Sequence, residues 1–269
     1  KMVIDFMGDG LLQYAIDGKV LDQVKDADGV LLDAAVTNTG TILADGGEVV
    51  LSAQASSDIF KSVVNQEGII RANSIVGHGG AIHLMASDVL NGDIEIGREA
   101  NFGRVKNESG TVMQTGLLDV SGKSPGASAG TVVLSGERVG VSGDIDAKGG
   151  DVLVTSTDKT IVTASSAIDT SGVGSRDAGN VVIWSDGDTR FDGAIAARGG
   201  EIGGNAGNVE VSGFGNLGFN GTVDMAAPHG NGGTLLLDPT NLTITNGGTP
   251  PGTRDGELVD TDGTGCCQV

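Results

Sequence analysis

Short apolar clusters with a period of two recur along the chain, each introduced by glycine or another small residue. One series reads Gly-x-(Ile/Leu/Val)-x-(small or aliphatic): Gly40-Thr-Ile42-Leu-Ala44, Gly68-Ile-Ile70-Arg-Ala72, Gly92-Asp-Ile94-Glu-Ile96, Gly116-Leu-Leu118-Asp-Val120, Gly143-Asp-Ile145-Asp-Ala147, Ser166-Ala-Ile168-Asp-Thr170, Gly193-Ala-Ile195-Ala-Ala197 and Gly221-Thr-Val223-Asp-Met225. A second series, Gly-x-Val-x-Leu in outline, interleaves with it at Gly47, Gly80, Gly130, Gly150, Gly179, Gly207 and Gly233, and is degraded around residues 100 to 115. Alternating five-residue clusters bounded by Gly, Asn, Asp and Ser predict short β-strands and no helices.

Such strands could build a sandwich or an up-and-down barrel. The period favours another arrangement. The anchors of the first series step by 23 to 28 residues with a mean of about 26, and near-identical strand pairs at one long spacing are what stacked coils of a solenoid require. The expected fold is therefore an all-β parallel β-helix with coils of about 26 residues. Eight coils at a sheet spacing of ~4.8 Å would make a rod roughly 40 Å long. Recurrent Ile and Val would line its interior, and glycine would mark corners that need φ > 0 or close backbone approach. Asp93, Glu95, Asp119, Asp144, Asp146 and Asp169 alternate with the apolar positions and are expected to face solvent. The repeat domain is placed at residues 29–245. Residues 1–28 are read as a junction or N-terminal cap, and 246–269, with Gly247-Gly-Thr-Pro250-Pro251-Gly, as a linker or disordered tail.

Composition agrees with a narrow interior. Of 269 residues 47 are glycine, while aromatics comprise six Phe, one Trp and one Tyr. The balance of 16 Lys plus Arg against 35 Asp plus Glu gives −19, which argues against a nucleic-acid partner. The longest apolar runs, such as Val30-Leu31-Leu32, fall far short of the ~20 residues of a membrane-spanning helix, so no membrane insertion is expected. The chain opens at Lys1 with neither a charged n-region nor an apolar h-region and reads as a piece of something longer. Cys266 and Cys267 are adjacent, too close for an unstrained bridge, so no disulfide scaffold is expected.

The stretch Gly29-Val-Leu-Leu-Asp33-Ala-Ala-Val-Thr37-Asn38-Thr39-Gly40-Thr-Ile-Leu-Ala-Asp45-Gly-Gly47-Glu-Val-Val-Leu-Ser-Ala53, together with Gly232-Gly-Thr-Leu-Leu-Leu-Asp238-Pro239-Thr-Asn241-Leu-Thr-Ile244, resembles the filamentous-haemagglutinin-type exoproteins of bacterial two-partner secretion. With the repeats, the resemblance covers roughly residues 10 to 246. It implies a right-handed parallel β-helix, exported unfolded through an outer-membrane partner transporter and acting at the cell surface or as a secreted adhesin, cytolysin or toxin stalk. The Asn-Pro-Asn motifs of that family's secretion domain do not occur in this sequence. A host-cell or neighbour-cell glycan or protein would then be the ligand.

The competing enzymatic reading is a polysaccharide-degrading β-helix. Gly77-His78-Gly79 and Arg104-Val105-Lys106 mimic polygalacturonase motifs, but the paired carboxylates of glycoside hydrolysis are missing: there is no Asp-Asp pair, and Asn38-Thr-Gly40 stands where Asn-x-Asp would be. No catalytic residue is assigned, His78 is read as a turn residue, and His83 as an outward strand position. His83 and His229 lack partners at metal-ligand spacing. Asp186-Gly-Asp188 and Asp260-Thr-Asp262-Gly263 place oxygens on turns without completing a calcium loop, so neither metal nor cofactor is expected. Gly203-Gly-Asn-Ala-Gly207 leads into a strand and lacks the Lys of a phosphate loop. Trp184, Phe214 and Phe219 are either core fillers or sugar-stacking platforms, and Asn107, Asn220 and Asn241 begin glycosylation sequons. The candidate ligand-contact loop is the irregular stretch 97–115, where Arg98, Arg104 and Lys106 concentrate positive charge on an acidic rod.

Overall fold

The computed structural model describes residues 24–53, 60–86, 110–122 and 127–239 in full, and elsewhere only the backbone of four short strands. It is all-β, with no helix among the described residues. Strands recur in sets of three, so each coil has three faces. The first face comprises β3 (Ala34–Asn38), β6 (Ser62–Gln66), β9 (Thr111–Gln114), the second halves of β11 (Thr131–Val141) and β13 (Asp151–Val162), β16 (Asp188–Phe191) and β19 (Leu217–Phe219). The second holds β4 (Thr41–Leu43), β7 (Ile69–Arg71), β10 (Leu117–Asp119), β12 (Asp144–Asp146), β14 (Ala167–Asp169), β17 (Ala194–Ala196) and β20 (Thr222–Asp224). The third holds β2 (Leu11–Ala15), β5 (Glu48–Ser52), β8 (Ala81–Met85), the first halves of β11 and β13, β15 (Val181–Ser185), β18 (Val209–Gly213) and β21 (Leu235–Pro239). Within each face all neighbouring strands are parallel, and β11 and β13, running through a corner, join the first and third faces into one sheet. At one end β1 (Met2–Ile4) pairs antiparallel with β2. Beyond residue 246, β22 (Val259–Asp260) pairs antiparallel with β23 (Cys267–Gln268).

Register places like residues above one another. In the second face the inward column is Ile42, Ile70, Leu118, Ile145, Ile168, Ile195 and Val223, and its five inner members, Ile70 to Ile195, are at most 2% exposed. The partner steps along it are 28, 48, 27, 23, 27 and 28 residues. The step of 48 corrects the repeat count. Leu117 to Asp119 pair directly with Ile69 to Arg71, so the expected rung at Gly92 to Ile96 does not stand between them. Among the described residues this face has seven rungs where eight were expected. Ala86, at the end of β8, and Gly110, before β9, flank the corner joining the third face to the first, and residues 87–109 between them lie outside the described residues.

The first face carries a strand that the repeat pattern did not reveal. One of its inward columns changes chemistry along the rod: Asn38, Gln66 and Gln114, then Val141 and Val162, then Phe191 and Phe219. In the amide segment Asn38 Nδ2 donates to Gln66 Oε1 at 2.7 Å. The segment ends at Gln114, whose buried Oε1 has no hydrogen-bond partner, since the Gln66 amide below it donates to the Gly68 carbonyl instead. In the aromatic segment the Phe191 and Phe219 rings stack with centroids 5.3 Å apart, so Phe219 is a core filler.

Glycine opens β13, β15, β18 and β21 of the third face because adjacent coils nearly touch there. A Cβ on Gly207 would lie 1.8 Å from the carbonyl oxygen of Gly179, a distance no side chain tolerates; close approach, not positive φ, requires it. The outer side of this face holds a second apolar cluster, Val133, Leu153 and Val182, all at most 7% exposed, with Trp184 packed against it.

Candidate functional surface

Loops of unequal length project from the corner between the second and third faces. The connections at 44–47 and 147–150 are tight, whereas those at 73–80, 121–130, 171–179, 198–207 and 226–233 are longer. This corner was legible in the sequence as the interval between the two glycine series, 7 residues from Gly40 to Gly47 or Gly143 to Gly150 but 14 from Gly116 to Gly130 or Gly193 to Gly207. The candidate residues Arg98, Arg104 and Lys106 lie outside the described residues. The loop proposed around them ends earlier than residue 115, because Thr111–Gln114 is β9, paired with β6 and β11.

The corner is organised by carboxylates and amides that bind main chain. Asp119, Asp169 and Asp224 each accept a hydrogen bond from the N–H two residues on, at Ser121, Ser171 and Ala226. This ties each strand end to its turn. It also corrects one expectation: Asp119 does not face solvent but is 6% exposed, and its carboxylate accepts from Asn73 Nδ2 at 2.6 Å as well. Asp144, Asp146 and Asp169 keep partial exposure, while Asp93 and Glu95 lie outside the described residues. Burial opposes the charge on Lys148, but Asp146 and Asp169, 3.8 and 3.3 Å away, outweigh it and hold its pKa above the ordinary lysine value.

Two ladders run along the same corner. Asp151 Oδ1 accepts from the N–H and Nδ2 of Asn180, Asn180 Oδ1 from the N–H and Nδ2 of Asn208, and Asn208 Oδ1 from the N–H of Thr234. Asp177, Asn205 and Asn231 form a parallel one, which gives the Gly203–Gly207 loop a stacking role. Each side chain replaces the hydrogen bonds that the strand ladder cannot supply at a turn.

The remaining candidates fall into place individually. His78 is exposed in a turn closed by Ile75 and His78 exchanging main-chain hydrogen bonds. His83 sits on the outer side of β8 between Val50 and Val133; burial depresses its pKa below the ordinary histidine value, against the pull of Glu48 at 3.4 Å. Asp186 accepts from Trp184 Nε1. Asp188 accepts from Asn216, which with Lys159 lowers its pKa, and Asp192 is lowered by Asn220 and Arg190. The Asn220 amide is thereby engaged. Among the described residues no three His, Cys, Asp or Glu side chains are grouped to hold a metal ion, and no helix is long and apolar enough to cross a membrane. Trp184 is half-buried and Phe214 exposed at a corner. Asn107, Asn241, Asp260 and Asp262 have no described side chain. Comparison with protein-family models, curated proteins and solved structures finds no match.

Proposed function

We propose that this chain is a rigid, non-catalytic β-helical stalk segment of a bacterial surface or secreted exoprotein of the filamentous-haemagglutinin type, exported by an outer-membrane two-partner transporter. The observation that carries the reading is the in-register parallel stacking of three faces, with seven rungs in the first and second and eight in the third among the described residues. A body in which each coil contacts only its neighbours resists bending along its length while needing no long-range closure. Such a body also suits export as an extended chain, because coils can form one after another as they emerge. The two stretches that resemble the family fall at the first complete coil, β3 to β5, and at the last rung, β21. The coil is right-handed in this reading, as parallel crossover connections nearly always are, and its basic length is about 26 residues, with insertions at two corners. Adhesion would be exercised through the corner loops.

The test is surface display. Cells producing the full exoprotein with its transporter are treated with protease while intact, and the 269-residue region is followed by antibody. Loss of the region from intact cells, and its protection when the transporter is deleted, is the expected result; protection in both strains would overturn the reading. A polygalacturonate cleavage assay on the purified chain is expected to be silent, and turnover abolished by His78→Ala would move the assignment to the polysaccharide-degrading alternative.

A further inference from the structure

We propose that Arg176 is the centre of a binding site for a carboxylate-bearing ligand on the corner between the second and third faces. Every other arginine among the described residues is paired: Arg71, Arg138, Arg190 and Arg198 each approach a carboxylate within 3.5 Å. Among the described residues Arg176 alone of the arginines makes neither an ion pair nor a hydrogen bond from its guanidinium, on a chain in which carboxylates outnumber cations 35 to 16. An unpaired arginine on so acidic a rod is not explained by fold stability.

Its position is built with unusual care. The Arg176 carbonyl accepts the N–H of Gly200 at 3.1 Å, and Gly172 and Gly204 crowd the same oxygen so closely that a Cβ on either would lie 2.0 Å from it. The side chain then runs back along the rod. A Cβ on Gly149 would lie 3.3 Å from Nη2 and 3.4 Å from Cζ, and one on Gly122 would lie 3.1 Å from Nη1. The guanidinium therefore rests on the glycine backbone of two preceding coils, half-buried, over Gly149 of the short turn 147–150 and beside Gly122. Two glycines hold its main chain and two make room for its head group, while its N–H donors meet no acceptor among the described residues.

The chemistry selects the ligand. A planar guanidinium matches a carboxylate through two parallel hydrogen bonds. One fixed positive charge on a molecule of net charge −19 accommodates a monovalent anion with less repulsion than a divalent phosphate or sulfate. The carboxylate can come from an acidic sugar or an acidic peptide. The inference is independent of how the chain is exported.

The experiment follows the Arg176 Nε–Hε resonance of the intact 269-residue chain, assigned by its disappearance in Arg176→Gln, during titration with trigalacturonate, triglutamate and, as neutral control, maltotriose. Saturable movement with at least one acid and none with maltotriose is expected, with the responding acid naming the source. The amide signals of Gly122 and Gly149 should move in parallel. Arg176→Gln should weaken binding read at those amides by roughly tenfold, the worth of one charge-assisted pair, with Arg176→Lys intermediate and Arg190→Gln unchanged. No movement with either acid, an equal response to maltotriose, or undiminished binding in Arg176→Gln would overturn the proposal.

Discussion

Ile168→Ala tests whether the stacked interior column stabilises the rod. Ile168 is 1% exposed, stacked between Ile145 and Ile195 in the second face. The substitution removes three buried carbons, worth about 0.8 kcal/mol each in transfer free energy, or roughly 2.5 kcal/mol. The flanking rungs are hydrogen-bonded in place and cannot collapse into the gap, so the residual cavity adds to this and brings the total to about 3–4 kcal/mol. Val223 ends the same column and is only half-buried; Val223→Ala removes two partly wetted carbons and should cost about 1 kcal/mol or less by the same accounting. Equilibrium urea unfolding followed by far-UV circular dichroism measures both. The midpoint of Ile168→Ala should fall well below that of Val223→Ala with little change in slope. A loss under about 1 kcal/mol for Ile168→Ala, or equal losses for the two, would refute the argument that neighbouring rungs supply the packing.

Other consequences follow from the polar interior and the ladders. Gln66→Leu should cost about 1–3 kcal/mol, because Asn38 loses its buried acceptor, whereas Gln114→Leu should lie within about 1 kcal/mol of wild type, since it also removes an orphaned oxygen; urea midpoints distinguish them. Asn180→Ala deletes three ladder hydrogen bonds and should destabilise by about 2–3 kcal/mol in the same assay, with no change contradicting the ladder's role. His83 is held below its ordinary value of 6.5, so the folded state binds its proton later than the unfolded chain. Stability is then complete above pH 6.5 and falls as the pH drops below it. His83→Leu should flatten that part of the profile relative to wild type, and parallel profiles would contradict this. Asn216→Ala should return Asp188 toward the usual carboxylate pKa, because the Asn216 amide is the main cause of its depression, as read by a carboxyl titration in NMR. Asp188 and Asp192 contribute stability above that usual range and lose it as the pH falls through their lowered values.

Strand type, the glycine-anchored repeat and the all-β class were legible in the sequence, because period-two alternation and turn residues act locally and each coil repeats the same local problem. The column from Val49 to Leu235, and that from Ile42 to Val223 apart from the extra member Ile94, could be written down from spacing alone. Three things only the tertiary structure decided. In the first face glycine stands before only some strands, at Gly110, Gly187 and Gly215, and its inward column drifts from Asn38 to Val141 to Phe219, so no repeated word marks it; only stacking shows that these unlike residues occupy one position. The segment Gly92 to Ile96 has the pattern of a rung, yet β7 and β10 pair directly, because pairing is won by whichever strand completes the hydrogen-bonded ladder and not by pattern alone. Asp119 alternates like an outward residue, but it is buried, with its carboxylate accepting from the Asn73 amide and the Ser121 N–H. Likewise Arg176 is one arginine among several in the chain; what sets it apart is the lack of a partner among the described residues and the glycines of coils some 27 and 54 residues earlier, a relation that exists only once the coils are stacked.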